Sequence, residues 1–165
     1  MRILAIDPGF ERVGIAVLER PDAGTGHEAL LYSHCFKTPS TMPFHERLLL
    51  IGEEIKRIVA AYSPEILAIE ALFLHSNQKT VMRVAEARGV MIHQAAVVGL
   101  DVCEYTPLQV KIAVAGYGRA NKDQVASMVR QLIKLSDDIT SDDEIDAIAI
   151  GLTCSASIAA RNKGF

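Results

Sequence analysis

The sequence predicts an α/β domain built on a five-stranded mixed sheet flanked by helices. The chain opens with three apolar segments separated by short turns, which is typical of an antiparallel meander. Helical and strand patterns then alternate, which favours parallel strands, and the remaining patterns are helical. The 165 residues are enough for one buried core and too few for two ordinary domains, so we expect a single domain over residues 1–165.

The three strands of the predicted meander are short and apolar. Residues 2–7 (RILAID) are followed by a Pro-Gly turn, and residues 13–18 (VGIAVL) form the second apolar run. A turn cluster at residues 21–26 precedes a third run at residues 29–36. Runs of this length, bounded by Gly and Pro, indicate strands joined by tight turns.

The central part of the chain shows helical periodicity. Apolar residues recur at steps of three and four from Phe44 to Tyr62, which predicts an amphipathic helix that ends before Ser63-Pro64. A buried strand follows at residues 65–69 and ends at Glu70. Similar patterns predict a last strand at residues 102–105 and helices at residues 78–98, 108–114, 122–134 and 142–160.

Composition excludes several classes of protein. Half of the residues are hydrophobic and 22% are charged, which argues against a disordered chain. No apolar stretch is long enough to span a bilayer and the N-terminal residues lack the pattern of a signal peptide, so we expect a cytoplasmic protein without a membrane partner. The three cysteines are far apart and lack C-x-x-C spacing, as expected for reduced, buried thiols.

The charges are distributed unevenly along the chain. The net charge is −3, but residues 71–136 carry eight basic against four acidic residues, and six acids lie between residues 137 and 146. A basic segment is compatible with a polyanionic ligand such as nucleic acid. An ordinary solvated surface gives the same totals, so the charge count alone does not select that ligand.

Two acidic residues follow apolar strands. Asp7 ends the first strand and Glu70 ends the fourth, and open α/β sheets place their sites at the carboxyl ends of strands. A carboxylate inside an apolar run needs a cation or a metal close by. The alternatives are a turn-forming Asp before Pro and an exposed Glu at a strand end.

A third group of acids opens the last helix. Ser141 and Glu144 fit a capping box, and acids in a first helical turn also suit the helix dipole. Asp146 lies beyond that cap in an otherwise buried pattern, on the same helix face as both Asp142 and Asp143. Paired carboxylates of this kind are typical ligands of Mg²⁺ or Mn²⁺ rather than zinc.

Seven motifs in a fixed order resemble those of the RuvC-type crossover-junction (Holliday junction) endodeoxyribonucleases, which have the ribonuclease H-like fold. They extend over nearly the whole chain, and the ordered set is far more specific than any one of them. The motifs are I-D-P-G at 6–9, A-I-E-x-x-F at 68–73, Asn77, A-R-G-V at 87–90, Q-V-K at 109–111, G-x-G-x-A-x-K at 116–122 and D-x-x-D-A-x-A-I at 143–150.

The resemblance implies both metal ligands and DNA contacts. It assigns catalytic, metal-binding acids to Asp7, Glu70, Asp143 and Asp146, and it favours Asp143 over Asp142, which spacing leaves open. It implies two Mg²⁺ ions per site, for which Mn²⁺ can substitute, acting on one phosphodiester. The DNA contacts that it implies are a base-stacking aromatic at Phe73 and polar or basic residues at Asn77, Lys111, Arg119 and Lys122.

The function implied is resolution of four-way (Holliday) junctions in DNA recombination and repair. Paired symmetric nicks leave 5′ phosphate and 3′ hydroxyl ends, and the enzyme is a homodimer that works with a branch-migration helicase. The small residues around 78–98 are the expected dimer contact. The alternatives are a ribonuclease H-like nuclease acting on structured RNA, a junction-binding protein that does not cleave, and an actin-like nucleotide-binding half.

Overall fold

The predicted fold class is confirmed by a computed structural model, which describes residues 1–21, 27–72, 78–136, 139 and 141–162. Its five-stranded sheet has the order β3-β2-β1-β4-β5 and carries helices on both faces. The strands are β1 (Arg2–Asp7), β2 (Arg12–Glu19), β3 (Ala29–Lys37), β4 (Ile66–Glu70) and β5 (Asp101–Tyr105). The helices are α1 (Phe44–Tyr62), α2 (Gln78–Val97), α3 (Pro107–Ala115), α4 (Lys122–Leu132) and α5 (Asp142–Asn162).

The central strand β1 determines where the first two candidate acids lie. It pairs antiparallel with β2 and parallel with β4. The parallel register places Ile6 beside Ile69, so Asp7 and Glu70, the next residues of each strand, lie at the same edge of the sheet. On the other side of β1, Asp7 is the cross-strand partner of Gly14.

Alternating side chains of β1 enter two separate cores. Ile3 and Ala5 pack in the core formed with α3, α4 and α5, and Leu4 and Ile6 pack in the core formed with α1 and α2. All four side chains are fully buried. This period-2 alternation, with both faces covered, explains why the strand is apolar at every position from Ile3 to Ile6.

Helix α5 lies directly on the strands that carry Asp7. A Cβ atom on its Gly151 would come within 2.6 Å of the Leu18 side chain and 3.2 Å of the Ala5 Cβ atom. Glycine therefore allows the helix to approach the sheet closely at this point. This close approach brings the first turns of α5, which contain Asp143 and Asp146, to the edge of the sheet where β1 ends at Asp7.

The ten predicted elements all occur, with boundaries that differ by at most two residues. The largest differences are at α4, which ends at Leu132, and at α5, which continues to Asn162. Within the part of the chain that is described, no helix is long and apolar enough to cross a membrane.

Candidate functional site

Three of the four predicted acids meet in one open cleft at the carboxyl edge of β1 and β4. The cleft measures about 290 Å³, and Asp7, Glu70 and Asp146 share it with two lysines. Strands β1 and β4 and helix α5 each supply one carboxylate, whereas α3 and α4 supply Lys111 and Lys122. The rest of the lining is apolar and consists of Pro107, Val110, Val125 and Ile150.

Asp7 lies at the centre of the negative charge. Burial and, next, the charges of Glu70, Asp146 and Asp143 raise the pKa of Asp7 to about 7, and Lys122 opposes this only weakly. A carboxyl group with such a pKa is only about half ionised at neutral pH, and a bound cation would favour its ionised form. The site thus concentrates negative charge that a bound cation can neutralise.

Glu70 is half-buried and lies next to an arginine that fixes its backbone. Burial, and then the charge of Asp146, raises the pKa of Glu70. The Arg88 guanidinium donates to the Glu70 carbonyl oxygen at 3.0 Å and forms an ion pair with Glu104 on β5. Arg88, which lies in the A-R-G-V motif at 87–90, therefore contacts the end of the strand that presents Glu70.

Asp146 forms an ion pair with a lysine of the same cleft. The Lys122 Nζ atom lies 3.0 Å from the Asp146 carboxylate and 3.4 Å from that of Asp142. Burial raises the pKa of Asp146 despite the hydrogen bond from Lys122. Desolvation works against the charged form of Lys122. The hydrogen bond to Asp146 and the charges of Asp146 and Asp142 outweigh it, so the pKa of Lys122 is raised. Lys122 is consequently a cation in the cleft at neutral pH.

Asp143 differs from the other three acids because several donors surround one of its oxygens. Its Oδ2 atom accepts a hydrogen bond at 2.8 Å from Arg12 Nε and a second from Nη2 of the same side chain, forming an ion pair. Cys35 Sγ and Ser141 Oγ each donate to the same oxygen at 3.3 Å. Desolvation raises the pKa of Asp143, but these donors outweigh it, so the pKa is lowered overall. The group is therefore a carboxylate with its charge already partly neutralised.

Gly14 makes the contact between β2 and α5 possible. A Cβ atom on Gly14 would lie 2.0 Å from the Asp143 carbonyl oxygen and 3.2 Å from the Asp7 Cβ atom. Any side chain at this position would separate the strand from the helix that carries two of the acids. Because Gly14 sits inside an apolar strand pattern, its sequence context does not reveal this role.

The chemistry of the donors fits a hard divalent cation. Carboxylate oxygens from three elements face one open cleft, and no described zinc-type cluster of His or Cys competes with them. In this conformation, however, no three Asp, Glu, His or Cys side chains among the described residues form a group that could hold one ion together. Two of the acids are paired with Arg12 and Lys122 instead.

The structure describes three of the five residues that are predicted to contact DNA. Lys111 and Lys122 line the cleft, and Arg119 is exposed in the loop between α3 and α4. Phe73 and Asn77 lie outside the described residues, between β4 and α2. The roles of all five residues remain predictions.

The family follows from comparison with known proteins. Residues 3–154 match the family model described as "Crossover junction endodeoxyribonuclease RuvC". The chain belongs to the RuvC family. The RuvC protein of Desulfitobacterium hafniense is 42% identical over 163 residues, covering 99% of this chain and 97% of that relative. The RuvC protein of Moorella thermoacetica is 43% identical over 159 residues, covering 96% and 93%.

The solved structures agree with the family assignment. Thermus thermophilus RuvC in complex with a Holliday junction substrate aligns with a TM-score of 0.88 and 31% identity, covering 97% of this chain and 96% of that one. The yeast mitochondrial Holliday junction resolvase Ydc2 has a TM-score of 0.69 at 10% identity and supports the fold alone. The predicted family is thus confirmed. The predicted enzyme class, a crossover junction endodeoxyribonuclease among the metal-dependent hydrolases, is confirmed with it.

Proposed function

We propose that this protein resolves four-way DNA junctions during recombination and repair by nicking two symmetry-related strands, using the cleft around Asp7 as its catalytic site. The observation that carries the proposal is the meeting of Asp7, Glu70 and Asp146 with Lys111 and Lys122 in one open cleft. Binding of a small neutral ligand does not require such a concentration of carboxylates. Metal-assisted hydrolysis of a phosphodiester does require it.

The carboxylates of Asp7, Glu70, Asp143 and Asp146 are the proposed metal ligands. They would hold two Mg²⁺ ions, with Mn²⁺ as an effective substitute, because hard cations prefer oxygen ligands of this type. The bound ions supply Lewis acidity toward the phosphate and a reactive water for attack. The high pKa of Asp7 in the metal-free protein supports its place at the centre of this ligand set.

The two lysines contribute a different part of the chemistry. Lys111 and Lys122 place ammonium groups in the same cleft as the acids, where a phosphate would enter. Positive groups fixed beside a phosphate stabilise the charge that develops as the phosphodiester is cleaved. The apolar walls at Val110, Val125 and Ile150 limit the water that competes with these contacts.

Three further residues are the proposed contacts to the rest of the junction. Arg119 is exposed on the loop that leads into α4 and to Lys122, so it can follow the DNA backbone away from the cleft. Phe73 and Asn77 follow Glu70 closely in the chain, which supports a contact near the cleavage point. Stacking of one base on an aromatic ring contributes roughly 1–3 kcal/mol, so Phe73 would affect junction binding measurably.

The proposed homodimer uses the outer face of α2. Ala85, Gly89 and Ala96 are exposed on that face. Among the described residues, no atom outside the helix backbone and the two residues next to Gly89 lies within 4 Å of a Cβ built on Gly89. Met82 and Val97 are 65% and 67% exposed on the same helix, so small and apolar groups are available for a second copy. A two-fold dimer would present two clefts to two symmetry-related strands.

The proposed setting is the cytoplasm, in company with a branch-migration helicase. A helicase that moves the crossover would supply junctions at different sequences, and a structure-selective nuclease would cut them. These two points are supported by the family assignment.

The first experiment incubates the purified protein with a synthetic four-way DNA junction and either Mg²⁺ or Mn²⁺. Linear duplex DNA and a four-way RNA junction are the controls for substrate class. We expect symmetric nicks in the DNA junction alone, and a loss of about 100-fold or more in cleavage rate for Asp7→Asn and Asp146→Asn. The exposed Asp101→Asn variant is the matched control and should cleave normally.

Three results would contradict the proposal in different ways. Junction binding without cleavage in either metal would favour the non-cleaving junction-binding protein. Cleavage of the RNA junction at a similar rate would favour the RNA nuclease. Full activity of the Asp7→Asn variant would refute the assignment of the catalytic cleft.

A further inference from the structure

Arg12 occupies a position that the proposed mechanism does not explain. It begins β2 at the rim of the site, and its guanidinium donates twice to the Oδ2 atom of Asp143. The side chain is 51% exposed, whereas that of Asp143 is only 23% exposed. An exposed arginine is thus in contact with a proposed metal ligand on one side and with solvent on the other.

The sheet register adds a second basic group to this rim. Arg12 is the direct cross-strand partner of Lys37, the last residue of β3, and both residues are exposed. Like charges directly opposite each other on neighbouring strands are destabilising. Asp143 pairs with Arg12, and a further anion beside Arg12 and Lys37 would reduce the repulsion between them.

Two properties of the ion pair allow Arg12 to leave Asp143. Cys35 and Ser141 donate to the same Oδ2 atom, so the carboxylate keeps partners when the guanidinium moves away. Exposed ion pairs also contribute little free energy, typically about 1 kcal/mol or less. A phosphate group attracts an arginine at least as well as a carboxylate, because the guanidinium fork matches its geometry.

We propose that Arg12 is a transferable counter-ion that pairs with Asp143 in the DNA-free protein and moves to a backbone phosphate when junction DNA binds. The transfer exposes the full negative charge of Asp143 to metal ions only when DNA is present. The inference rests on the proposed function, since it assumes that Asp143 is a metal ligand. Arg12 is in this scheme a positioning residue that couples DNA binding to metal binding.

The coupling acts in a definite direction. While Arg12 pairs with Asp143, its positive charge repels a divalent ion and occupies the oxygen that such an ion needs. Removal of the charge therefore increases metal affinity in the DNA-free protein. By linkage, DNA that draws Arg12 away increases metal affinity by the same mechanism.

The first test measures Mn²⁺ binding to the DNA-free protein by electron paramagnetic resonance of the free ion. We expect Arg12→Gln to bind Mn²⁺ about fivefold more tightly than the wild type, the size of effect that an exposed ion pair allows. Arg57→Gln is the matched control, because Arg57 is 54% exposed and pairs with Glu54 away from the cleft. In an Asp143→Asn background, the Arg12→Gln change should have no further effect on Mn²⁺ affinity.

The second test measures junction binding in EDTA over a range of salt concentrations. Arg12→Gln should weaken binding and reduce the slope of log affinity against log salt by roughly one phosphate contact. Circular dichroism confirms that the variant is folded. Unchanged or weaker Mn²⁺ binding by Arg12→Gln would overturn the inference, and so would an unchanged salt slope.

These outcomes are distinct from failure of the proposed function. If the wild type binds no Mn²⁺ even with junction DNA present, or if Asp7→Asn binds Mn²⁺ and cleaves as well as the wild type, the catalytic assignment itself is wrong. If the wild type cleaves as proposed and Arg12→Gln matches it in either test, only the role of Arg12 is wrong.

Discussion

Replacement of Asp7 by asparagine should stabilise the metal-free protein although it removes activity. The pKa of Asp7 rises from 3.8 to about 7 on folding, so the folded protein binds more protons than the unfolded chain between pH 4 and 7. Stability of the wild type therefore falls as pH rises through this range, and the cost of the Asp7 charge is fully present above pH 7. The change in pKa corresponds to roughly 4 kcal/mol at most.

Solvent screening reduces that figure, because Asp7 lies in an open cleft. We expect Asp7→Asn to be about 2 kcal/mol more stable than the wild type at pH 8 in EDTA, which is a rise of roughly 4–8 °C in Tm for a protein of this size. The difference should shrink toward zero at about pH 3 and below, where Asp7 is largely protonated in both the folded and the unfolded state. Thermal unfolding followed by circular dichroism at several pH values measures it.

Metal ions supply a second arm of the same experiment. Saturating Mg²⁺ should raise the Tm of the wild type more than that of Asp7→Asn, because ligands stabilise only the state that binds them. Asp101→Asn, at an exposed strand end, is the control for removal of an acid. A Tm difference between Asp7→Asn and wild type that does not depend on pH would refute the charge argument.

Three other substitutions test separate features. Gly14→Ala should cost at least about 2 kcal/mol of stability and abolish cleavage, since its Cβ atom would overlap the Asp143 backbone; denaturant unfolding and the junction assay measure both effects. Lys122→Gln should slow junction cleavage at saturating Mg²⁺ by about 10-fold to 100-fold with little change in Tm, because it removes a cleft cation that is otherwise exposed. Gly89→Leu should shift the protein to monomers in sedimentation equilibrium yet leave its circular dichroism unchanged, because space beside Gly89 is open.

The elements of the fold could be predicted well because their signals are local. The alternation of β1 and the steps of three and four in α1 are each contained in one short segment, and both were placed within two residues. Asp7 and Glu70 could be singled out because each ends an apolar strand, at the edge where open α/β sheets place their sites. Their meeting with Asp146 in one cleft follows from the topology that those elements predict.

The contacts around Asp143 could not be predicted, because they join distant parts of the chain. Arg12 looks like an ordinary exposed arginine at a strand start, and Cys35 like a small buried thiol. The expected capping box illustrates the same limit. Ser141 donates to the nearby Asp143 side chain, and Glu144 accepts a hydrogen bond at 2.7 Å from Ser33 on β3, so both side chains have partners that the capping pattern does not predict.

The position of α5 determines when a new chain can acquire its proposed nuclease activity. The helix supplies Ile145 and Ile148 to one core and Asp143 and Asp146 to the site. A nascent chain that has not yet produced this helix has an incomplete core on one face of the sheet and half of its proposed catalytic carboxylates. Completion of this core and assembly of the proposed site therefore depend on the same helix and occur together.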